Sequence, residues 1–489
     1  MSQVLNRQRY AYHNTYHQLR LFMITESVYT HRSHGMLPNH TREEKLRFWE
    51  YLESLLELSD YSNESSVNSS LVSYIQKASQ SYNDYITHDQ DLYRTALIIL
   101  NSKLFENDKE FCISKILSLL SIDNLEMSMK FILSYIILCE CKIDSNSLDF
   151  VLDYQGFTVI YNNLYSQFAY LSRYGDERVE SCRTDQEGNL SELDLEIIQE
   201  FKRISTVLLD LLFQIFKYSK CEITNLQKID DFFVYYLMST IRSDTFEDLF
   251  NNAKFRLLLA LNEQYVIALQ QFELENKVFE YLLDNQVSKN FVEFLMLQFN
   301  RETDKSLQIM MSKIFYLVLS AGQRISMNFF YLNDLNVVVD VLIRNLTNLS
   351  EEEELLRNTF LRVLHPLLKN TEWTKTRYRY TDLSKLLEYL SCLDNICSTK
   401  DVNFEQISTT KLAFKCLEEM RLEESEKHTT STFTKGSMKS EDALNSTLAS
   451  CAVKNGRHFG KFLEPVRTMK SVVRSPFSSP PPPPPSRKA

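Results

Sequence analysis

Five histidines lie near the start of the chain, and histidine is the commonest side chain that binds metal ions in proteins. His13 and His17 are four residues apart, which would place them on one face of a helix, and His31, His34 and His40 fall within one loop. A zinc site needs further ligands at defined spacings, such as the HExxH motif or paired cysteines, and neither pattern occurs. We therefore interpret these histidines as solvated or packing side chains and predict no metal site.

The chain also lacks the short motifs that common enzymes use. Phosphate-binding loops need glycines for close backbone approach, and neither GxxxxGK(S/T) nor GxGxxG occurs; GxSxG is absent as well. His365 lies beside Pro366, with no Ser or Cys in a nucleophile motif nearby. The carboxylates of Glu351 to Glu354 are explained by the favourable position of anions at a helix N-terminus. The sequence therefore predicts no enzymatic activity and no cofactor.

A run of six prolines, Pro480 to Pro485, precedes the last four residues of the sequence. Such a run adopts the extended left-handed helix that the aromatic grooves of SH3 domains accept at low entropic cost. Pro482, Pro485 and Arg487 fit the PxxPx(R/K) pattern, in which two prolines fill the grooves and the cation meets an acidic pocket. We predict an SH3 ligand here. Profilin, which also binds polyproline, is a second candidate, and a proline spacer without a partner is the alternative.

The charge is distributed unevenly along the chain. Residues 427–489 have 11 Lys and Arg against 3 Asp and Glu, so the net charge of −10 for the whole chain combines a basic tail with a strongly acidic body. An acidic body disfavours a nucleic-acid groove, which needs clustered cations to neutralise phosphates. The tail is rich in Ser, Thr and Lys and poor in large apolar residues, which predicts a disordered segment.

The remaining 426 residues have the composition of a helical protein. The whole chain has only 8 glycines, and no proline lies between Pro38 and Pro366, which disfavours turn-rich β architectures. We predict an all-α, armadillo-like helical-repeat solenoid over residues 1–426. The nine cysteines form no CxxC pair, and neither a signal peptide nor an apolar run of about 18 residues is present. These features predict an intracellular, soluble, reduced protein without a transmembrane segment.

Two adjacent helices are predicted between Asn328 and Trp373. One apolar helix face is formed by Leu335, Val338, Val339, Leu342, Ile343 and Leu346, and we expect Val337 and Val341 to widen it. Ser350 and Glu353 have the spacing of a capping box that opens the second helix, whose predicted core positions are Leu356, Phe360, Val363, Leu364 and Leu367. Pro366 lacks the amide that should bond to the Arg362 carbonyl, so we expect a kink or a break near His365.

Other elements are predicted from the same kinds of signal. Thr41 and Glu44 form a capping box, and Leu46, Trp49, Leu52, Leu55 and Leu56 supply the apolar face of the helix that follows. Asp60 to Ser70 is predicted to be a polar loop, and Tyr174 to Ser191 the main internal loop. Ser191 is predicted to cap a long helix that reaches Tyr218.

Several long motifs carry a family resemblance. These motifs are FFYLNDLNVVVDVLIRNL followed by LRVLHPLLKNTEW, LLLALNEQYV (Leu257 to Val266), and the stretch from Phe291 to Ser320. All of them resemble the leucine-rich helical domain of the WISH/DIP/SPIN family. The resemblance covers Phe255 to Leu390. The animal branch of that family has an amino-terminal SH3 domain, and nothing at the start of this sequence resembles one. The chain is therefore similar to the shorter, fungal type.

The resemblance implies a function. Proteins of this family activate the actin-related protein 2/3 (Arp2/3) complex, and the helical domain is expected to bind this nucleator and start an unbranched seed filament of actin without a mother filament. Activators of the Wiskott-Aldrich class end in an acidic segment with a tryptophan, whereas the tryptophans here are Trp49 and Trp373, inside the helical body. Activation would therefore use the folded surface. The resemblance and the proline run together imply a cytoplasmic protein of cortical actin patches that SH3-domain endocytic proteins recruit.

Four cations are candidates for contacts with the nucleator. Arg344, Arg357, Arg362 and Lys369 lie in or beside the recognised stretch at positions that the apolar faces do not require. Interface cores favour arginine. An ordinary solvated face is the alternative for these residues, and a passive helical adaptor without activating function is the alternative for the protein.

Overall fold

Helices account for all of the regular secondary structure in the residues that the structure describes. The structure is a computed structural model, and it describes residues 40–175, 192–218, 221–245, 247–269, 271–396 and 403–429. These ranges contain 23 α-helices and one 3₁₀ turn, and no strand. The all-α fold predicted from the low glycine and proline content is confirmed.

The first ten helices lie before residue 219. They are α1 (Arg42–Ser54), α2 (Glu64–Gln80), α3 (Tyr82–Tyr85), α4 (Asp89–Leu100), α5 (Lys103–Asn107), α6 (Lys109–Leu120), α7 (Met127–Ile143), α8 (Ser147–Asp153), α9 (Gly156–Tyr174) and α10 (Glu192–Tyr218). The predicted end of α10 at Tyr218 is confirmed, while its predicted cap, Ser191, lies outside the described residues.

The other thirteen helices follow from residue 223 onward. They are α11 (Ile223–Lys228), α12 (Asp231–Ser239), α13 (Leu249–Ala268), α14 (Lys277–Leu283), α15 (Asn285–Arg301), α16 (Lys305–Ser320), α17 (Gln323–Phe329), α18 (Leu332–Asn348), α19 (Glu354–Asn370), α20 (Trp373–Thr376), α21 (Tyr380–Leu390), α22 (Leu393–Ile396) and α23 (Phe404–Thr429). The 3₁₀ turn, Glu351–Glu353, lies between α18 and α19.

The longest helices pack side by side in the order of the sequence. α2 packs against α7, α7 against α10, α10 against α13, α13 against α16, α16 against α19, and α19 against α23. A second series, α9, α12, α15, α18 and α21, packs in the same way, each helix against the next. The armadillo-like solenoid stays a prediction, and these two series are the contacts on which it rests.

Local signals near the start of the described residues were partly correct. The Thr41 capping box is confirmed, because the Thr41 hydroxyl accepts from the Glu44 amide at 3.2 Å and the Glu44 carboxylate accepts from the Thr41 amide at 2.8 Å. Leu46 was wrongly placed in the apolar face: it is 54% exposed, and Phe48 is buried instead.

The predicted loop from Asp60 to Ser70 is also wrong in its second half. α2 begins at Glu64, because the Asn63 side chain accepts from the amides of Ser65 and Ser66 and so caps the helix. Val67 then lies in the core. The segment was predicted to be a loop because its composition is polar. In the helix, its serines face solvent or neighbouring carbonyl groups.

α13 lies in the interior, and the polar residues of its LLLALNEQYV motif bind three different neighbours. The Asn276 amide donates to Asn262 at 2.9 Å, and the Gln264 amide donates to the Phe216 carbonyl at the end of α10 at 2.8 Å. Glu263, between them, forms an ion pair with Lys313 of α16. Buried polar groups are stable only when they are paired, so these three residues fix α13 against its surroundings.

Candidate functional site

The stretch that carries the family resemblance forms a pair of packed helices, α18 and α19. The face predicted for α18 is confirmed at Leu335, Val338, Val339, Leu342 and Leu346, and Ile343 is half-buried. Val341 is buried, but Val337 is 42% exposed, so the prediction that it widens the buried face is wrong. Two residues along a helix correspond to a rotation of about 200°, which turns Val337 away from Leu335.

The turn between the two helices is fixed by the predicted capping box. The Glu353 carboxylate accepts from the amide and the hydroxyl of Ser350, each at 2.8 Å, and it forms an ion pair with Lys305 of α16 at 2.8 Å. The bonds from Lys305 and from Ser350 lower the pKa of Glu353 to about 2. The first turn is 3₁₀, so α19 itself begins at Glu354. One carboxylate thus ties α16 to the turn.

Of the kink or break predicted near His365, the break is wrong, because Pro366 does not interrupt α19; a kink there stays a prediction. The helix runs without interruption from Glu354 to Asn370, and Pro366 is buried within it. Leu364, Leu367 and Leu368 on either side of the proline are also buried. Packing against α16 and α23 holds both halves of the helix, which offsets the roughly 3 kcal/mol that an internal proline costs.

Arg357 is a buried structural residue. Its guanidinium donates to the carbonyl oxygens of Leu349 and Ser350, at 2.6 and 3.1 Å, and forms an ion pair with Glu354. Glu354 also accepts a hydrogen bond from the Thr409 hydroxyl of α23. These bonds join the turn before α19 to the last described helix.

Arg344 is exposed but held in place. Its guanidinium donates to the side-chain and main-chain oxygens of Asn300, both at 2.9 Å, and thereby links α18 to the C-terminal end of α15. A cation in this position satisfies carbonyl groups at the end of a helix and complements its dipole. Arg344 therefore has a structural role beside any role in binding.

Arg362 and Lys369 of α19 and Lys415 of α23 are named the basic strip here, and the charges of Lys369 and Lys415 both act on His365. Arg362 and Lys369 are seven residues apart, which places them on one face of α19. Arg362 is half-buried, and burial lowers its pKa, while Lys369 and Lys415 are exposed.

His365 lies between these cations. Burial, followed by the charges of Lys415 and Lys369, lowers the pKa of His365 to about 4. The Glu419 carboxylate of α23 is 3.5 Å from its Nε2 atom and is the anion that faces it. His365 is neutral near pH 7 and joins two helices, which is a structural role.

The four cations predicted from the sequence to contact the nucleator have different positions in the structure. Arg362 and Lys369 share a face, Arg357 is buried in the turn before α19, and Arg344 is bound to α15. Lys415 was missed, because it lies outside the recognised stretch and only the packing of α23 on α19 brings it close to His365. No local sequence signal could have identified it.

Trp373, at the end of the recognised stretch, belongs to the core. Its ring is buried, and its indole nitrogen donates to the Tyr378 carbonyl at 2.9 Å. The Tyr378 hydroxyl in turn donates to Asp340 of α18 at 2.9 Å. The tryptophan therefore positions the segment between α19 and α21 and is not presented to a partner.

The predicted SH3-binding residues Pro482, Pro485 and Arg487 lie outside the described residues. So do His13, His17, His31 and His34, which we interpreted as solvated or packing side chains. Among the residues that the structure does describe, no group of three or more His, Cys, Asp or Glu is arranged to hold a metal ion. Within the same ranges, no helix is both long and apolar enough to cross a membrane.

Comparison with known proteins identifies the family. A family model described as "SPIN90/Ldb17, leucine-rich domain" matches residues 247–383, from the start of α13 into α21. The chain is 60% identical over 399 residues to Protein LDB17 of Eremothecium gossypii, an alignment that covers 82% of this chain and 86% of that protein.

Two further relatives agree with this match. Protein LDB17 of Saccharomyces cerevisiae is 54% identical over 400 residues, covering 78% of this chain and 82% of that protein. Protein dip1 of Schizosaccharomyces pombe is 30% identical over 205 residues, covering 40% of this chain and 53% of that protein. These alignments confirm the resemblance found in the sequence motifs, and the chain belongs to the SPIN90/Ldb17 family.

Proposed function

We propose that this protein is a non-enzymatic activator of the Arp2/3 complex that promotes nucleation of unbranched seed filaments of actin. The observation that carries the proposal is membership of the SPIN90/Ldb17 family, with identity to fungal relatives that extends over most of the chain. The matched region contains the packed hairpin of α18 and α19, and polar contacts of Glu353 and Arg357 fix the turn between the two helices. Such a surface suits a partner that must be held in one arrangement.

The basic strip is the part of this surface that we propose to contact the nucleator. Arg362 and Lys369 come from α19 and Lys415 from α23, so the strip exists only when both helices are packed together. Arg344 stays a candidate contact at its edge. Arg357 supports the site indirectly, because its guanidinium is buried against the turn before α19.

Activation has an energetic requirement. The protein must bind the active arrangement of the nucleator more tightly than the inactive one, since a partner that binds both equally shifts no population. A shift from 1% to 99% active would need a difference in affinity of about 10⁴-fold. Tight binding alone is therefore not sufficient evidence for an activator.

The experiment that tests the proposal is fluorescent actin assembly with purified Arp2/3 complex, actin and the full chain, without preformed filaments. We expect a shorter lag than with the nucleator alone, and microscopy should show linear filaments. An unchanged lag at saturating protein would reject activation.

A passive adaptor is the second candidate function, and the proline run is the feature that favours it. An adaptor would bind SH3 proteins through Pro482, Pro485 and Arg487 and would also bind the nucleator, but it would leave the lag unchanged. The same assay combined with a pull-down separates the candidates, because an adaptor gives binding without acceleration.

The tail completes the proposed function by setting the location. We propose that SH3-domain endocytic proteins bind the proline motif and concentrate the protein at cortical actin patches during endocytosis. Profilin, which also binds polyproline, is a further candidate partner of the proline run. The charge of the tail, opposite to that of the body, favours separate roles for the two parts.

A further inference from the structure

Four aromatic rings form a row across three helices, and we call them the aromatic row. The ring centroids of Tyr165 of α9 and Phe232 of α12 are 5.3 Å apart. Those of Tyr235 of α12 and Tyr281 of α14 are 5.6 Å apart. Phe232 and Tyr235 are three residues apart, which places them on one face of α12. All four side chains are half-buried, so each packs against the core and keeps part of its surface in solvent.

Exposed carboxylates lie at one end of this row. Burial, followed by the charges of Glu275 and Asp231, raises the pKa of Glu280, so these three carboxylates are close enough to repel one another. Burial, followed by the charges of Asp231 and Glu280, also raises the pKa of Tyr281, the last ring of the row. Lys277 offsets part of the charge, since its ammonium group is 3.3 Å from Asp231. The surface around Tyr281 is therefore acidic and favours a cationic partner.

Aromatic rings beside carboxylates are the groups that bind a proline run followed by a cation. A proline run is already extended and rigid, so it loses little conformational entropy when its rings pack against aromatic side chains. Its carbonyl groups only accept hydrogen bonds, and tyrosine hydroxyls can donate to them. The acidic charge disfavours nucleic acids and acidic peptides on the same surface.

This chain contains a ligand of that kind in its own tail. Pro480 to Pro485 are followed at once by Ser486, Arg487 and Lys488. Neighbouring side chains of the aromatic row are about 5–6 Å apart, so the row spans about 16 Å. Six prolines in the extended left-handed helix cover about the same length, at 3.1 Å per residue. The run therefore matches the row in length as well as in chemistry.

The tail is long enough to bring the prolines to this surface. Residues 430–479 separate the end of α23 from the first proline, and an unstructured chain of that length has a root-mean-square end-to-end distance of about 40 Å. α13 packs against both α12 and α14, and it is linked to α23 through α16 and α19. Three such helix-to-helix steps of 8–10 Å add up to about 27 Å. The contact can therefore form within one molecule.

We infer that the proline run, with Arg487 and Lys488, docks on the aromatic row of the same chain. The prolines pack on the rings, and the two cations meet the carboxylates of Asp231 and Glu280. The opposite charges of tail and body favour this contact. Docking covers the prolines, so the helical body competes with SH3 domains for one motif, a consequence that rests on the proposed function.

A fluorescein-labelled peptide of residues 474–489 tests the surface by fluorescence anisotropy. The receptor is a full-length tail variant, in which all six prolines of the run become Ser, together with Arg487→Ala and Lys488→Ala. We expect saturable binding with a Kd of about 100 μM or tighter. Adding either Asp231→Asn/Glu280→Gln or Tyr235→Ala to the tail variant should weaken binding at least tenfold.

The matched control changes two exposed carboxylates of α22 and α23 in the same way. Asp394→Asn/Glu418→Gln alters the net charge equally and should leave the Kd of the tail variant unchanged. Circular dichroism identifies any variant that does not fold. The Asp231→Asn/Glu280→Gln pair, which changes exposed side chains, keeps the test valid if Tyr235→Ala fails to fold.

The unaltered chain shows whether the contact forms within one molecule. Its own run is present at an effective concentration of about 1 mM, so the labelled peptide should bind it about tenfold more weakly than it binds the tail variant. Hydrogen exchange in residues 231–239 and 277–283 should also be slower in the unaltered chain than in the tail variant.

Three results overturn the inference. These are no binding of the peptide to the tail variant, equal binding after Asp231→Asn/Glu280→Gln, and equal binding to the unaltered chain and the tail variant. The last result would mean that the surface takes prolines only from a separate molecule. Neither an SH3 domain nor the nucleator is present in these experiments, so this inference and the proposed function fail separately.

Discussion

Lys313 of α16 and Glu263 of α13 form an ion pair in the interior of the protein, where their side chains are only 1% and 3% exposed. Each charge is stable there because the other is present, since desolvating a single charge is very unfavourable. The pair lies at the contact between two long helices of the first series. The loss of either charge should therefore lower the stability of the packed helices of the first series.

Lys313→Ala should lower the free energy of unfolding by about 3–5 kcal/mol, because it leaves the Glu263 carboxylate buried without its cation. The double variant Lys313→Met/Glu263→Leu should lose much less, since it replaces both charges with apolar side chains of similar size. Urea denaturation followed by circular dichroism measures both. Equal losses in the single and double variants would show that the loss of the ion pair is not what destabilises Lys313→Ala.

Glu353→Gln should reduce the pH dependence of stability at acid pH. The pKa of Glu353 is about 2 in the folded protein and 4.5 for the unperturbed group, so its stabilisation is present above pH 4.5 and is lost as the pH falls toward 2. The loss should be about 1 kcal/mol, because solvent partly screens the pair with Lys305. Urea midpoints at pH 7 and pH 3 should therefore differ less for Glu353→Gln, whereas the exposed neighbour variant Glu352→Gln should behave like the unaltered protein.

Leu342→Asp should destabilise the protein by several kcal/mol, because Leu342 is fully buried and the new carboxylate would have no partner. Val337→Asp, five residues earlier on the exposed side of the same helix, is the matched control and should cost less than about 1 kcal/mol. Thermal unfolding measures both changes. Similar melting temperatures for the two variants would mean that the buried face of α18 is assigned incorrectly.

Replacing the basic strip should weaken binding to the nucleator. The triple variant Arg362→Ala/Lys369→Ala/Lys415→Ala should reduce pull-down of the Arp2/3 complex about tenfold or more while the circular dichroism spectrum stays the same. The effect should diminish at high salt if the contact is electrostatic.

The matched control for the strip removes three cations elsewhere, Arg42, Lys103 and Lys289, each exposed. It changes the net charge equally and should leave binding intact. If the two triple variants lose binding to the same extent, overall charge rather than the strip is responsible. Arg357→Ala does not serve as a surface test, because removal of its buried guanidinium should destabilise the turn before α19.

Changing Pro482, Pro485 and Arg487 together to Ala should abolish SH3 recruitment while actin assembly with the purified nucleator stays normal. Arg487 must be included, because neighbouring prolines could replace the two groove prolines by a shift of register. Single SH3 contacts are typically micromolar, about −8 kcal/mol, so several contacts should act together in the cell. Live imaging of cortical residence is the measurement. Normal residence of the variant would assign localisation to the helical body.

Signals that depend on neighbouring residues in the sequence were reliable for this protein. The capping boxes at Thr41 and Ser350 and the buried row that includes Leu342 follow from local spacing, and the structure contains them. Val337 and Leu46 were misplaced because the covered side of a helix is decided by helices distant in sequence. The break at Pro366 was wrong for the same reason, since tertiary packing outweighs the local preference.

Sites built from several helices were outside the reach of the sequence. Lys415 joins the basic strip only through the packing of α23 on α19, which also places Glu419 beside His365. Both contacts are properties of the tertiary structure.

The packing of α23 on α19 also determines which truncated forms of the chain can fold. The family match ends at residue 383, but Cys416 of α23 donates through its thiol to the Leu361 carbonyl at 3.6 Å, and α23 covers a buried side of α19. At the other end, α10 covers α13 in the same way. A recombinant fragment limited to residues 247–383 would present two uncovered apolar faces to water and should aggregate, so the segment that homology detects is smaller than the segment that can fold.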